Sequence, residues 1–256
     1  MQRNLRQVLV VVAWLVTLGI NMLAVLLPLN GLETGEISDL YPTLVTPAGY
    51  VFSIWGVIYL WVLGYAVYQA LPRQRQQPVL RQVAPWFVLS CAANSLWIFA
   101  WHYRQLPWSL VLMTILLLAL IRIYLLLDIG RIAVPSAEMW WVHRPFSLYL
   151  GWITVATIAN VAAILVDGQW GGWGLAPDLW AALILLTAGA IGVMVSLRRA
   201  DVVYVLVLVW ALVGIIIQHQ AYAPVVGAAV LAIVLLLLSL GVSLPRQRAN
   251  LRLDQA

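Results

Sequence analysis

Long, uninterrupted apolar runs constrain this chain more than any other feature. The first run covers residues 8–27 and contains no charged residue. A helix of about 20 apolar residues crosses the roughly 30 Å hydrocarbon layer of a bilayer. The strands of a membrane barrel would instead alternate apolar and polar residues over about ten positions. The run therefore predicts a helix that spans a membrane.

The composition extends this prediction to the whole chain. Hydrophobic residues make up 64% of the 256 residues and charged residues only 9%, and the mean hydropathy is +0.97. A soluble fold of this length needs far more polar surface. We therefore expect an all-α integral membrane protein. Helical spans favour a cytoplasmic-type membrane, such as a bacterial inner membrane, over an outer membrane.

Further apolar runs predict eight transmembrane helices in all. The clearest break between runs is D-G-Q-W-G-G-W-G at residues 167–174, a Gly-rich connector. It divides the chain into a predicted five-helix bundle, residues 1–167, and a predicted three-helix extension, residues 168–256. The predicted spans are residues 8–27, 51–71, 83–102, 108–127, 146–166, 179–197, 202–217 and 221–244.

The arginines predict the orientation of these spans. Eight spans place both termini on one side of the membrane. That side collects twelve arginines, the other side only Arg104, and Arg122 lies within helix 4. Cytoplasmic loops are enriched in basic residues, so we expect an N-in, C-in topology with the acidic first loop outside. Arg122 lies near the cytoplasmic end of its helix and is expected to snorkel. The twelve are Arg3, Arg6, Arg73, Arg75, Arg81, Arg131, Arg144, Arg198, Arg199, Arg246, Arg248 and Arg252.

Several functions are excluded by residues that the chain lacks. It contains no lysine, so it cannot form a Schiff base with retinal or pyridoxal phosphate. Its single cysteine, Cys91, excludes an internal disulfide and a cysteine-built metal site. The net charge of +5 is explained by the loop arginines, so we expect no nucleic-acid partner.

The histidines and the missing catalytic motifs argue against an enzyme. His102 and His219 fall at predicted helix ends with no cysteine or carboxylate nearby, which favours solvated turn residues over metal ligands. His143 falls in a loop that we expect at the membrane interface. The chain shows no phosphate-binding loop, nucleophile–base pair or carboxylate dyad.

Three predicted helices each carry aromatic or amide side chains on one face. Spacings of three, four and seven residues place such side chains together on a helix. The predicted topology brings most of them into the outer half of the bundle, where they could surround a flat, apolar ligand. Alternatively, the asparagines are hydrogen-bonding contacts between helices, worth about 1 kcal/mol each, and the aromatic rings are ordinary packing. The faces are Phe52, Trp55 and Tyr59; Asn94, Trp97 and Trp101; and Tyr149, Trp152, Ala156 and Asn160.

Three motifs on these faces resemble those of the TspO/MBR family, the translocator or tryptophan-rich sensory proteins. W-G-V-I-Y at residues 55–59, with G-Y at 64–65, resembles its second-helix motif. A-A-N-S-L-W at residues 92–97 is similar to its A-L-N-x-x-W motif. P-F-S-L-Y-L-G-W-I-T-V-A-T-I-A-N at residues 145–160 is similar to its P-Y-L-x-W-x-x-x-A-x-x-L-N motif. The resemblance covers roughly residues 1–167.

The resemblance implies a five-helix bundle with a pocket beneath the first long loop. Family members bind porphyrins and other flat apolar ligands there, and often dimerise. The resemblance implies no required cofactor, but it does imply a porphyrin- or haem-type ligand. Two departures matter: the first loop lacks tryptophan, and the cholesterol-recognition pattern of animal members is missing after helix 5. The implied ligand-binding residues are Trp55, Tyr59, Asn94, Trp97, Trp152, Ala156 and Asn160, to which the helix 3 face adds Trp101.

Three hypotheses follow for the function. The first is a TspO-like sensory or translocator protein that binds a tetrapyrrole-like ligand from the outer side. The second is a transporter of a small hydrophobic solute, with helices 6–8 completing its path. The third is a structural subunit of a larger membrane complex, with helices 6–8 as its docking surface. The expected partners are the lipid bilayer, a hydrophobic small molecule, and a second copy or another subunit of a membrane complex.

Overall fold

A computed structural model describes residues 2–27 and 29–253, and side chains within residues 5–27 and 29–247. Helices account for all the regular secondary structure of this part of the chain. Short helical turns interrupt the loops between the long helices. The long helices are α1 (Gln2–Leu26), α2 (Ile54–Ala70), α3 (Pro78–His102), α4 (Leu106–Leu126), α5 (Arg144–Asp167), α6 (Pro177–Arg199), α7 (Val202–Gln218) and α8 (Ala223–Leu253).

The helices are those of a multi-pass membrane protein. Within the described residues, seven helical segments are long and apolar enough to cross a membrane. α7 is apolar but has only 17 residues, which corresponds to about 26 Å of helix. Large apolar side chains cover the outer surface of the bundle, for example Leu60 at 70% and Leu238 at 63% exposure. Such a surface is suited to contact with lipid.

The predicted start of α3 and the predicted end of α8 are each wrong by several residues. α3 begins at Pro78 instead of residue 83, because proline suits the first turn of a helix, where its missing N–H costs nothing. α8 continues past residue 244 and through Pro245. Both extensions are polar segments, which an apolar-run criterion reads as loop.

The predicted loop at residues 128–144 is also partly helical. Ser136–Glu138 forms a helical turn, and Met139–His143 forms a π-helical turn that leads directly into α5. His143, which we expect at the height of the membrane interface, is buried within the protein at 1% exposure. Its Nε2 lies 3.9 Å from a carboxylate oxygen of Glu138. The π turn carries this histidine inward, which the apolar pattern gave no reason to expect.

The first five long helices form a closed ring, and the last three pack against one side of it. α1 contacts α2 and α3, α4 lies between α3 and α5, and α5 returns to α2. α6 packs chiefly on α8, while α7 contacts α5, α6 and α8. α7 therefore connects the last three helices to the ring.

The first loop, residues 27–53, covers one end of the ring. It contains the short helical segments Leu29–Gly31, Thr34–Asp39 and Gly49–Ser53. The last of these contacts α7 as well as α2. We call this end of the molecule the first-loop end.

A buried carboxylate joins helices at the opposite end. Asp201 is 6% exposed and accepts hydrogen bonds from the Tyr124 hydroxyl at 2.9 Å and the Ser147 hydroxyl at 2.7 Å. It also caps the first turn of α7 by accepting from the Tyr204 N–H at 3.2 Å. Burial raises the pKa of the Asp201 carboxyl, and these hydrogen bonds oppose that shift. One side chain thus links α4, α5 and α7.

Close contact between α6 and α8 depends on a glycine. A Cβ atom at Gly189 would lie 2.8 Å from the Cβ of Ala232. The Cβ of Ala232 cannot move aside unless α8 moves with it. The absence of a side chain at Gly189 therefore sets the distance between the axes of α6 and α8.

We predict that Gly189→Val destabilises the protein by about 1–3 kcal/mol, because the added side chain forces α6 and α8 apart. The matched control is Gly241→Val on α8, where an added Cβ would meet nothing within 4 Å. Thermal unfolding of both variants in mild detergent would measure the difference. Equal melting temperatures would contradict this account of the α6–α8 contact.

Candidate functional site

Four aromatic rings form a continuous stack in the centre of the five-helix ring. We call this set, Tyr59, Trp55, Trp97 and Trp101, the aromatic ladder. Tyr59 and Trp55 stack with centroids 5.5 Å apart, Trp55 and Trp97 at 6.5 Å, and Trp97 and Trp101 at 5.7 Å. The ladder crosses from α2 to α3 and ends beneath the first loop, where Tyr41 meets Trp101 at 6.1 Å.

A small cavity, which we call the aromatic cavity, lies beside the ladder at the first-loop end. Trp152 closes one side, with its ring plane nearly perpendicular to those of Phe52 and Trp55. The internal space is about 30 Å³, enough for roughly one water molecule. Packed rings therefore fill most of the volume that a larger ligand would need. Its lining residues are Thr34, Ser38, Pro47, Phe52, Trp55, Trp97, Trp101, Trp152, Val155, Ala156, Ala159 and Asn160.

Six of the eight predicted site residues line this cavity, and two lie deeper. Trp55, Trp97, Trp101, Trp152, Ala156 and Asn160 are the six. Tyr59 is at the deep end of the ladder, next to the side chain of Asn94. The sequence pattern therefore brings the faces of α2, α3 and α5 together, as their spacing predicted.

The two predicted amides connect helices. Asn94 accepts a hydrogen bond from Asn21 Nδ2 at 2.7 Å, which links α1 to α3. Asn160 donates to the Ser109 hydroxyl at 2.9 Å and accepts from the Trp97 indole at 3.4 Å. It thereby joins α3, α4 and α5. Both asparagines thus act as interhelical contacts, the alternative that sequence alone left open, while Asn160 also borders the cavity.

Three buried polar atoms beside the ladder form no hydrogen bond of normal geometry among the described residues, although the Tyr59 hydroxyl and the Asn94 amide are neighbours. They are the Tyr59 hydroxyl, Asn94 Nδ2 and Trp152 Nε1. Two of these atoms can only donate, and the hydroxyl can do so. Buried donors without partners are costly and therefore uncommon in native folds. This part of the site is consequently suited to a hydrogen-bond acceptor.

The first half of the first loop is attached to the end of α3. The Trp101 indole donates to the carbonyl of Thr34 at 3.1 Å. His102 Nδ1 lies 3.0 Å from the carbonyl of Leu29, and its Nε2 lies 3.0 Å from the Thr34 hydroxyl. A carbonyl only accepts, so Nδ1 carries a proton. The expectation that His102 is a solvated turn residue is wrong: its exposure is 0%, because it holds the loop.

The second half of the loop is attached to α7. The Ala48 N–H donates to the carbonyl of Gly214 at 3.2 Å. His219 Nε2 donates to the carbonyl of Thr46 at 2.9 Å, and the Trp210 indole donates to that of Val51 at 3.2 Å. The expectation that His219 is merely a solvated turn residue is wrong, because its hydrogen bond to Thr46 holds the first loop. No group of three or more metal-ligating side chains occurs in the residues that the structure describes.

The family comparison agrees with this arrangement. The model of the TSPO-like protein family matches residues 7–242. The chain belongs to the TSPO-like protein family. The match runs through α6, α7 and most of α8 as well as the five-helix ring, whereas the motifs recognised in the sequence end at residue 160. Neither curated proteins nor solved structures match the chain.

The first loop of this TSPO-like protein lacks tryptophan, and other residues of the same loop make the covering contacts. Thr34, Ser38 and Pro47 cover the cavity instead. One local signal indicates this part of the loop, since Glu33 and Glu36 have the spacing of a helix start. The Glu36 carboxylate indeed accepts from the Glu33 N–H at 2.7 Å. The contacts from α7 had no signal, because they join residues more than 150 positions apart.

We predict that Gly214→Ala loosens the first loop of this TSPO-like protein. The new Cβ would lie 2.2 Å from a methyl carbon of Val51 and 3.1 Å from the Cβ of Pro47. The loop must move away from α7, which weakens the Ala48–Gly214 hydrogen bond. Hydrogen exchange of residues 44–51 should accelerate about tenfold or more, the equivalent of roughly 1.4 kcal/mol.

Gly227→Ala on α8 is the matched control, because an added Cβ there meets nothing within 4 Å. Its exchange in residues 44–51 should equal that of the wild type. Equal protection of the loop in both variants would show that α7 does not hold it.

Proposed function

We propose that this protein binds a flat, apolar ligand of the porphyrin or tetrapyrrole class at the aromatic cavity, as a membrane sensory or translocator-type protein. The observation that carries the proposal is the aromatic ladder, four stacked rings beside a cavity and beneath a covering loop. Aromatic faces offer a macrocycle both dispersion and favourable offset stacking. The proposed activity is binding and release without catalysis, and it requires no resident cofactor or metal.

The unpartnered donors beside the ladder support a ligand with a polar edge. Tyr59, Asn94 and Trp152 could donate to a carbonyl or carboxylate oxygen, while the rings contact the apolar face. Binding sites of this kind are mostly apolar with a few convergent polar groups. The unmet donors favour a ligand that carries acceptors over a pure hydrocarbon.

Binding requires the cavity to open. Its internal space is about 30 Å³, whereas ligand pockets commonly enclose roughly 300–1,000 Å³. The half-buried Trp55 ring and the first loop are the parts that can move without separating the ring helices. The bound state therefore requires partial unstacking of the ladder, displacement of the loop, or both.

We further propose eight membrane spans with N-in, C-in topology. α7 spans despite its 17 residues, because the bilayer adapts to a modest mismatch at small cost. The arginine distribution orients the chain, so that the first loop and the cavity face outward. This orientation presents the cavity to ligands that arrive from the outer leaflet of a cytoplasmic-type membrane.

A protoporphyrin IX titration tests the proposed binding. We expect saturable quenching of tryptophan fluorescence in the wild type. In Trp97→Phe/Asn160→Ala the dissociation constant should rise about tenfold or more, because a stacking face and a helix-bridging amide are lost. Trp108→Phe is the control, since Trp108 is 65% exposed and does not line the cavity.

Quenching that rises linearly and is equal in all three proteins would mean nonspecific partitioning. That result would contradict the binding proposal and favour the transporter or subunit hypotheses. Because the double variant also removes contacts between helices, its thermal stability must be measured alongside.

Reporter fusions test the proposed topology. A fluorescent protein fused after residue 256 should fluoresce in bacterial cells, because it folds in the cytoplasm, and an alkaline phosphatase at the same place should be inactive. The same reporters inserted between residues 32 and 33 should behave in the opposite way. An active phosphatase at the C-terminus would mean an odd number of spans from a cytoplasmic N-terminus.

A further inference from the structure

Three neighbouring cavities, of which the aromatic cavity is the innermost, extend to the side of the molecule. The outermost is an open groove of about 500 Å³ between the ends of α5 and α6. Behind it, against α7, lies a junction cavity of about 20 Å³. Val45 borders both the groove and the junction cavity, and Val155 borders both the junction cavity and the aromatic cavity. Each of these two valines is therefore part of the wall between neighbouring spaces.

The groove exists because α5 and α6 hardly touch each other. Along their described lengths they make almost no backbone contact, and each packs on α7 instead. Each helix contributes one small side chain to the groove, Ala162 on α5 and Ala181 on α6, beside larger apolar ones such as Leu165 and Ile184. A flat molecule could lie edge-on between the two helices without forcing them apart along their whole length.

The lining changes from amphipathic at the mouth to apolar inside. Trp170 and Trp180 stand at the mouth with ring centroids 5.0 Å apart, and tryptophan favours the boundary between lipid and water. The junction cavity has an entirely apolar lining: Val45, Val155, Ile158, Leu185, Ala188, Leu208, Ala211, Leu212 and Ile215.

The other large opening at the first-loop end has a different character. It encloses about 780 Å³ above the loop and is lined by Asp39, Asp178, Gln218 and His219 among others. An apolar ligand dissolved in the bilayer would gain nothing by crossing this polar space. The groove between α5 and α6, by contrast, is reached without leaving an apolar environment.

We propose that apolar ligands reach the aromatic cavity sideways from the bilayer, between α5 and α6 and past Val45 and Val155. The path rests on the proposed function, because it leads to the same cavity. It gives the last three helices a role in ligand access: α6 forms one wall of the groove, and α7 forms the back of the junction cavity. Val45 lies on the first loop, so movement of that loop also opens the path.

The rates of ligand binding test the path. A barrier along a path slows association and dissociation equally and leaves affinity unchanged. Ala188→Leu would fill the junction cavity without touching the aromatic cavity. We expect protoporphyrin IX to bind and leave this variant about tenfold more slowly in stopped-flow fluorescence, with a dissociation constant within about twofold of the wild type. Val45→Ala should make both association and dissociation of protoporphyrin IX faster.

Ala190→Leu is the matched control, because residue 190 is exposed on the same helix two positions further on. Its rates should equal those of the wild type. Wild-type rates in Ala188→Leu, or a change in its affinity without a change in its association rate, would overturn the path.

A second measurement separates this inference from the proposed function. If the wild type shows no saturable protoporphyrin binding, the proposed function fails, and the groove is tested alone with 1-bromododecane. Anomalous diffraction from bromine between α5 and α6 is the result expected for a path open to bilayer-soluble molecules. Absence of bromine from that groove would overturn the path even if porphyrin binds.

Discussion

The first loop is held over the aromatic cavity because its backbone carbonyls accept hydrogen bonds from ring N–H groups on the helices below. Irregular backbone at the end of a membrane bundle must have its polar groups satisfied, since an unmet carbonyl in an apolar setting is costly. Two donors come from the end of α3 and two from α7, so the loop is fixed at both ends. The aromatic ladder, the aromatic cavity and the groove between α5 and α6 all lie next to this loop, so their shapes depend on how the loop is attached. The pairs are His102 with Leu29, Trp101 with Thr34, His219 with Thr46, and Trp210 with Val51.

The same physical rule explains the asparagines within the bundle. Apolar contact alone gives little preference among helix arrangements in lipid, because lipid tails are as apolar as leucine. Asn94 and Asn160 supply direction, because each amide forms a hydrogen bond to a side chain on another helix. The polar residues therefore fix the positions of the helices, and the aromatic faces meet as a consequence. Asn160 thus connects helices and also borders the aromatic cavity.

The sequence predicted the features that have a local period. The apolar runs located the eight long helices, and the three-, four- and seven-residue spacings correctly gathered Trp55, Trp97 and Trp152 around one cavity. It failed where the determining contact is distant or polar. The π turn that buries His143 and the helical residues before position 83 have no apolar signature. His102 was misread because nothing in its own segment indicates that the loop folds back onto it.

Attachment of the first loop to α7 has a consequence for how such a protein could be divided. The loop belongs by sequence to the five-helix ring, yet half of its fixed points lie in the last three helices. A chain cut after residue 167 would keep every helix of the ring and lose the contacts that hold its cover. The ring and the extension are therefore not interchangeable modules. If either part is replaced by that of a relative, the first loop and α7 must be exchanged together, because they are hydrogen-bonded to each other.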